Sequence, residues 1–317
     1  MERKVIKKNY REQIDRQTRI VSKKINEMFR GIDKTNIPEL RKINEKVCDT
    51  MRSGKRSREL NVTNDLIKLN DRTIRIRTYM FKRDSHAQIL YIHGGGFIMG
   101  GIESDDDICS DICQSSGFNV TAVEYRLSPE HKHPAALDDV RACYNYLKTK
   151  GSIIILGHSA GATLAAIMAH ELMAKGESLI GQVLICPFLG GNLNTGSYIE
   201  HAQTPFLSTD DIRYYLSLWL KEGYDLRFLP LSIKFSNFLL PTAVFTADLD
   251  PLRDDGFAYV SRLLDQKTPV SHTNAEGLFH SFLRIRHISA KAMCVYQKLI
   301  REIIRLGNKE FTPSLKN

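Results

Sequence analysis

Residues 153–161 read Ile-Ile-Ile-Leu-Gly-His-Ser-Ala-Gly, an apolar run that ends in a Gly-x-Ser-x-Gly pentapeptide. A buried strand that stops at a serine between two glycines predicts a sharp strand-to-helix turn, which exposes the Ser159 hydroxyl. Only glycine at positions 157 and 161 leaves room for the strand and the helix to approach so closely. The pentapeptide therefore predicts either a nucleophile or, alternatively, a serine that merely caps the helix predicted over residues 160–175.

Two candidate partners of Ser159 follow it, each after a predicted strand. Asp250 comes after the apolar segment 242–247, and His280 comes after the segment 269–274. A serine nucleophile needs a base to accept its proton and an acid to orient that base. The order Ser, Asp, His is that of the α/β-hydrolase fold. The sequence therefore predicts a catalytic triad of Ser159, His280 and Asp250.

Neighbouring residues compete for both partner roles. Asp250 could instead cap the helix that begins at Pro251. The other carboxylates that could supply the acid are Asp248, Asp254 and Asp255. The base has fewer alternatives, because His272 falls within a predicted strand and His287 falls on the predicted final helix.

Three successive glycines, Gly94, Gly95 and Gly96, follow the predicted strand that ends at His93. Their N–H groups are unhindered by Cβ atoms and, with the N–H of Ala160, predict an oxyanion hole. A glycine-rich loop after a strand can also hold phosphate, but neither a following Lys-Ser/Thr nor the Gly-x-Gly-x-x-Gly spacing is present. We expect His93 to brace this loop by hydrogen bonds and not to act as a second base.

The bulk composition predicts a soluble globular protein, and no Cys-x-x-Cys pair suggests a bound metal. The chain has 317 residues, of which 42% are hydrophobic and 26% charged, and its start lacks the apolar stretch of a secretory signal. No apolar run is long enough to span a membrane. Six scattered cysteines, without a Cys-x-x-Cys pair, predict reduced thiols in the cytoplasm.

The net charge of +9 belongs to the N-terminal arm, residues 1–60, which holds 18 Lys and Arg against 9 Asp and Glu. We expect these charged residues to lie on the solvated faces of helices that pack against the main domain. Pro38 predicts a break between two helical segments. Nucleic-acid binding is not expected, because acidic residues interrupt the arm and aromatics for base stacking are nearly absent. A homodimer or protein partner that docks on the arm is an alternative.

Short apolar strands alternate with helices after the arm, which predicts a mostly parallel twisted sheet flanked by helices. The predicted strands are Thr73–Phe81, Gln88–His93, Asn119–Tyr125, Ser152–Gly157, Gly181–Cys186, Thr242–Ala247 and Pro269–Asn274. The predicted helices lie near residues 104–116, 134–149, 160–175, 253–266 and 284–306. We therefore divide the chain into the arm at 1–60, an α/β domain at 61–308 with an insertion at about 188–240, and a tail at 309–317.

Five motifs in this order resemble those of hormone-sensitive-lipase-type esterases, and within that group bacterial acetyl esterases. They are His93–Phe97, Tyr125–Glu130 with Pro134–Ala136, Gly157–Gly161, Asp250–Gly256 and Gly277–Phe282. The resemblance implies an α/β-hydrolase fold with a helical cap, built from the arm and the insertion before the acid strand. It implies hydrolysis of short-chain acyl esters through an acyl-enzyme, without a cofactor. A receptor that binds a small molecule without turnover, or a partner-binding protein, is the alternative.

The chain departs from the family pattern at two positions beside the predicted triad. His158 stands where the family usually has aspartate, which changes the charge next to Ser159, and Ser281 replaces a usual glycine after the histidine. Three aromatic residues are candidate walls of the substrate pocket: Phe97, Phe206 and Trp219. For each of the three, simple core packing is the favoured alternative.

Overall fold

A single nine-stranded sheet forms the centre of the described part of the protein. The computed structural model describes residues 14–52, 54, 59–81, 85–221, 226–234, 238–311 and 314–316. The strands are β1 (Asn61–Lys68), β2 (Thr73–Met80), β3 (Ala87–Ile92), β4 (Asn119–Val123), β5 (Ser152–His158), β6 (Gly181–Ile185), β7 (Thr242–Leu249), β8 (Val270–Phe279) and β9 (Ser314–Lys316).

The order of the strands across the sheet is β1-β2-β4-β3-β5-β6-β7-β8-β9. β1, β2 and β4 pair antiparallel, whereas every pair from β4 to β9 is parallel. The carboxyl ends of β3, β5, β7 and β8 therefore meet at one edge of the sheet. Ligands of such open parallel sheets bind outside this edge.

Helices cover both faces of the sheet. They are α1 (Arg16–Met28), α2 (Ile37–Met51), α3 (Asp106–Ser116), α4 (Ala135–Leu147), α5 (Ala160–Ala174), α6 (Ser197–Glu200), α7 (Thr209–Trp219), α8 (Arg253–Asp265) and α9 (Ala290–Gly307). One apolar core lies beneath α4, α5 and α8, and a second lies beneath α3 and α9. Among the described residues, no helix combines the length and the apolar character that crossing a bilayer requires.

The predicted α/β alternation is confirmed, and the differences lie at the edges of the sheet. The strand β1 is absent from the prediction because its residues are largely exposed and polar. Residues 314–316 of the predicted tail form β9, which pairs with β8. The strand β8 continues to Phe279, beyond the predicted end at Asn274, and the final helix begins at Ala290 after a 3-10 turn at Phe282–Ile285.

Two helices of the arm pack against the α/β domain. Pro38 lies in the first turn of α2, where its missing N–H has no helical partner to lose. Arg41 of α2 donates hydrogen bonds to the carbonyl oxygens of Ile98 and Ser128 and pairs with Glu130. The predicted insertion contains α6 and α7, between β6 and β7.

Candidate active site

Ser159 occupies a sharp turn between β5 and α5, in a strained backbone conformation. Its φ is 55° and its ψ is −123°, a combination that residues other than glycine rarely adopt. A Cβ at position 157 would lie 2.2 Å from the carbonyl oxygen of Gly161, and one at position 161 would lie 2.0 Å from that of Ile92. Both glycines are therefore required by space, as predicted. The Ser159 side chain makes no cap hydrogen bond to α5, so the alternative of a simple helix cap is wrong.

The structure brings the three predicted triad residues into hydrogen-bond contact. His280 Nε2 lies 2.9 Å from Ser159 Oγ, and His280 Nδ1 lies 2.7 Å from Asp250 Oδ2. The other oxygen of Asp250 accepts a hydrogen bond from the N–H of Leu252 at 2.9 Å. All three side chains are buried, with Asp250 fully enclosed. The arrangement can transfer a proton from the serine hydroxyl to a histidine that a carboxylate orients.

The competing carboxylates and histidines have other partners. Asp248 accepts a hydrogen bond from the N–H of Gly277 at 3.2 Å, and Asp254 accepts one from that of Ser197 at 2.8 Å. Asp255 accepts hydrogen bonds from three successive backbone N–H groups, which are those of residues 189, 190 and 191. His272 lies against Thr246 on β7, and His287 pairs with Asp111. In the structure, Asp250 alone among these carboxylates contacts His280.

The glycine loop after β3 lies directly against the Ser159 turn. Gly95 and Gly96 border the same cavity as Ser159 and Ala160. A Cβ at Gly95, where φ is 122°, would lie 2.1 Å from the carbonyl oxygen of Met99. Gly94 packs behind them, because a Cβ there would lie 3.0 Å from the carbonyl oxygen of His158. Of the three predicted glycines, two therefore face the cavity and Gly94 supports the turn.

His93 braces the loop in the way predicted. Its Nδ1 lies 2.8 Å from the carbonyl oxygen of Gly94, and its ring stacks on Tyr125 with ring centres 4.0 Å apart. The Tyr125 hydroxyl also donates to the carbonyl oxygen of His93 at 2.9 Å. These contacts fix the start of the loop and leave His93 away from Ser159.

A buried ionic network, absent from the sequence-based prediction, anchors the segment after the glycine loop. Three consecutive aspartates pair with arginines from other elements: Asp105 with Arg284, Asp106 with Arg77 and Asp107 with Arg286. Burial by itself raises the pKa of Asp105, but the charge of Arg284 helps to outweigh burial and the pKa is lowered. Pairs so far apart in sequence have no local signal, so only the fold shows them.

His158 lies beside His280, the predicted base, and has no hydrogen-bond partner among the described residues. Its ring centre is 5.8 Å from that of His280, and it borders the cavity above Ser159. Within the described residues, neither ring nitrogen of His158 finds a donor or acceptor. Burial and the neighbouring His280 lower the pKa of His158 to about 3. The position that the family usually fills with a carboxylate is therefore occupied by a neutral ring.

Cys186 contacts the acid and was not singled out from the sequence. Burial and a hydrogen bond to Asp250 raise the pKa of its thiol well above the usual value. Ligand atoms of Cys186, Asp250 and His280 lie within 4.8 Å of one another. Asp250 and His280 already hydrogen-bond to each other. The Cys186 thiol is therefore a further hydrogen-bonding neighbour of the Asp250 carboxylate.

A cavity of about 100 Å³ opens above Ser159, and we call it the catalytic cavity. Phe97 and Phe206 line it, as predicted for pocket walls. Trp219 does not reach it, because Trp219 is fully buried and stacks on the far side of Phe97 with ring centres 3.7 Å apart. The prediction for Trp219 as a pocket wall is therefore wrong, and this ring supports Phe97 from the core.

The sequence family described as the α/β hydrolase fold matches residues 89–284. The chain belongs to this family. An arylesterase of Saccharolobus solfataricus is 30% identical over 286 residues, which are 84% of this chain and 92% of the relative. An ethyl acetate hydrolase of Pseudomonas putida is 28% identical over 237 residues, which are 69% and 74% of the two chains. The structure of a hyperthermophilic esterase from Pyrobaculum calidifontis superposes with a TM-score of 0.82 at 26% identity, over 93% of this chain and 99% of that one.

These comparisons confirm the resemblance to hormone-sensitive-lipase-type esterases. They also confirm the fold class predicted from the order of the motifs. This α/β hydrolase is a carboxylic ester hydrolase, in common with the relatives named above.

Proposed function

We propose that this α/β hydrolase cleaves short-chain acyl esters, acetyl esters in particular, through Ser159, His280 and Asp250. The observation that carries the proposal is the continuous hydrogen-bond chain from Ser159 Oγ through His280 to Asp250, with distances of 2.9 Å and 2.7 Å. The strained backbone at Ser159 supports it, because such strain is typical of a nucleophile elbow.

In the acylation step, Ser159 Oγ attacks the ester carbonyl carbon while His280 Nε2 accepts the hydroxyl proton. Asp250 stabilises the imidazolium that forms and keeps Nδ1 protonated. The bond from carbon to the alcohol oxygen then breaks, and His280 returns the proton to that oxygen. Water repeats the sequence with His280 as base, which releases the carboxylic acid and free Ser159.

Negative charge on the carbonyl oxygen needs donors that are already in place. We assign this task to the N–H groups of Gly95, Gly96 and Ala160, since these residues border the cavity with Ser159. Loss of one such donor typically costs about 3 kcal/mol in the transition state.

The size of the catalytic cavity supports a short acyl group. Its volume of about 100 Å³ equals roughly three water molecules at about 30 Å³ each. Apart from Ser159, His280 and His158, the side chains that border only this cavity are apolar, and they include Phe97, Phe188 and Leu252. An acetyl or propionyl group has the matching size and polarity.

The experiment compares Ser159→Ala with the unchanged protein on p-nitrophenyl acetate. We expect kcat to fall by about 10³-fold or more, because the nucleophile is lost while the fold stays. Ser217→Ala, on the exposed side of α7, is the matched control and should keep full activity. Unchanged turnover in Ser159→Ala contradicts the proposal, and binding of the ester without release of nitrophenol in the unchanged protein favours a receptor.

A series of p-nitrophenyl esters from acetyl to decanoyl tests the acyl preference separately. We expect kcat/KM to be highest for the shortest chains, because longer ones exceed the catalytic cavity. A maximum at octanoyl or decanoyl contradicts the short-chain assignment and leaves the triad untouched.

We further propose that α1 and α2 act as part of a cap over this site. Asn44 of α2 borders the catalytic cavity, and Lys34, between the two helices, forms an ion pair with Asp211 of α7. The arm therefore lies next to the catalytic cavity and is bonded to α7 of the insertion. The alternative role of the arm in dimerisation or partner docking stays a prediction.

A further inference from the structure

A second cavity of about 310 Å³ adjoins the catalytic cavity beneath the N-terminal arm. We call it the arm cavity; Ile25, Phe29 and Met51 of the arm form its apolar side. The two cavities share several bordering residues, among them Asn44 and Ser281. A ligand bound at Ser159 can therefore extend directly into the arm cavity.

The two cavities differ in chemistry. Polar and charged side chains border the arm cavity without bordering the catalytic one: Asn26, Lys34, Gln203, Ser208 and Asp211. Amides, an ammonium group and a carboxylate together offer both donors and acceptors. Lys34 and Ser208 both bond to Asp211, so the side-chain amides of Asn26 and Gln203 are the groups that hydroxyls of a ligand can satisfy and alkyl groups cannot.

The position of His280 decides which half of the ester enters each cavity. His280 returns its proton to the alcohol oxygen when the ester bond breaks, so the alcohol must leave on the side of His280. Ser281, the next residue, borders both cavities at this side. The acyl group then occupies the catalytic cavity beside Phe97 and Phe188, and the alcohol extends past Ser281 into the arm cavity.

Ser281 is a strained residue with an unused hydroxyl. It holds a left-handed backbone conformation, with φ at 65° and ψ at 20°, which glycine adopts without strain. Within the described residues, the Ser281 hydroxyl has no hydrogen-bond partner. A serine in this strained conformation, with its hydroxyl beside two cavities, indicates contact with a ligand.

Asn44 provides a second unused polar group at the junction of the two cavities. It is half-buried on α2, and its side-chain amide likewise finds no partner in the part of the chain that the structure describes. An amide carries two donor hydrogens and an acceptor oxygen, and so it can bind a hydroxyl in either direction. Ser281 and Asn44 thus face the path of the leaving alcohol from two different elements.

We infer that the natural substrate is a short-chain acyl ester of a polyhydroxylated alcohol, whose hydroxyl groups bind Ser281, Asn44 and the polar side of the arm cavity. The inference rests on the proposed function, because it needs Ser159 as nucleophile and His280 as base. A volume of about 310 Å³ equals roughly ten water molecules at about 30 Å³ each. This volume admits an alcohol as large as a polyol or a single sugar ring.

The test compares esters that share the acetyl group and differ only in hydroxyls. Glycerol 1-acetate is matched with 2-methylbutyl acetate, which has methyl groups in place of both hydroxyls. 6-O-Acetylglucose is matched with (tetrahydropyran-2-yl)methyl acetate, which keeps the ring oxygen and lacks the four ring hydroxyls, for a ring-sized alcohol. We measure kcat/KM for each ester, correct it for the rate of hydroxide-catalysed hydrolysis, and take the ratio within each pair. At least one pair should favour the hydroxylated ester by about tenfold or more, and the pair with the larger ratio identifies the size of the alcohol.

Variants then test whether the named side chains cause the preference. Ser281→Ala removes the hydroxyl, and Asn44→Leu removes the amide at similar volume; each should lower the ratio by about threefold to tenfold. Lys46→Leu, on the exposed side of α2, is the control and should leave the ratio unchanged. The ratio is insensitive to a general loss of activity, so a partly disturbed site still reports on the hydroxyl contacts.

Each result either supports or contradicts the inference. Ratios near one or below one in both pairs, in a protein that hydrolyses the esters, overturn the polyol assignment and leave the proposed function standing. An elevated ratio that neither variant lowers overturns the assignment of Ser281 and Asn44. Loss of the ratio in both variants supports it. Failure to hydrolyse any ester, p-nitrophenyl acetate included, contradicts the proposed function and this inference together.

Discussion

Replacement of His158 by aspartate restores the residue that related esterases usually carry before the nucleophile. In the structure, the neutral ring of His158 lies beside the ring of His280. A carboxylate there would stabilise the protonated, positively charged form of His280. Since the protonated base cannot accept the proton of Ser159, His158→Asp should need a higher pH for activity.

The separation of the two rings sets the size of the effect. Their centres lie 5.8 Å apart. At that distance, opposite unit charges attract by about 3 kcal/mol at an effective dielectric constant of about 20, and by about 0.7 kcal/mol in bulk water. One pH unit corresponds to about 1.4 kcal/mol. The midpoint of the acid limb should therefore rise by about 0.5 to 2 pH units in His158→Asp.

The assay is kcat/KM for p-nitrophenyl acetate across the acidic and neutral pH range, because this parameter reports titration of the free enzyme. His158→Asn, which is polar but uncharged, is the matched control and should keep the acid limb of the unchanged protein. Circular dichroism establishes that both variants are folded. Coincident acid limbs for the aspartate and asparagine variants refute the reasoning, since a charge beside the base would then have no effect.

Two further predictions concern the turn and the acid. Asp250→Asn should lower kcat by about 10⁴-fold, because the amide favours the wrong tautomer of His280. The control is Asp248→Asn, which should keep most activity because the Asp248 carboxylate bonds the N–H of Gly277 and not His280. The reverse result would move the acid role to Asp248. Gly161→Ala should shift the urea midpoint of unfolding strongly downward, because its Cβ would lie 2.0 Å from the carbonyl oxygen of Ile92. An unchanged midpoint would contradict the close approach of α5 to β3.

Local sequence patterns were sufficient for the elements that position the site. The apolar run before Ser159 and the glycines on either side of it predicted a strand, a turn and a helix, all of which the structure contains. Burial on both faces makes such central strands continuously apolar, so they are easy to recognise. The order of Asp250 and His280 was informative because parallel strands bring their carboxyl ends to one edge.

Features that depend on distant contacts could not be read from the sequence. Apolar and polar residues alternate only weakly along the edge strand β1, and most of its residues are exposed. Its composition therefore resembles that of a loop. The pairing of Arg284 with Asp105 joins residues 179 positions apart. Trp219 is a candidate pocket wall because it is aromatic, yet Phe97 lies between the Trp219 ring and the catalytic cavity. In each case, tertiary packing decided what residue type alone left open.

The two departures from the family pattern flank one residue of the proposed triad, His280. His158 contacts its ring from the side, whereas Ser281 follows it in sequence and faces the arm cavity. The difference between His158→Asp and His158→Asn isolates charge beside His280, and this charge shifts the pH profile whichever ester is used. A change at Ser281 acts through one hydroxyl and must affect only alcohols that can bond it. The pH profile for a single ester and the ratio between matched esters at a single pH therefore separate the two roles, although both residues lie against the same imidazole.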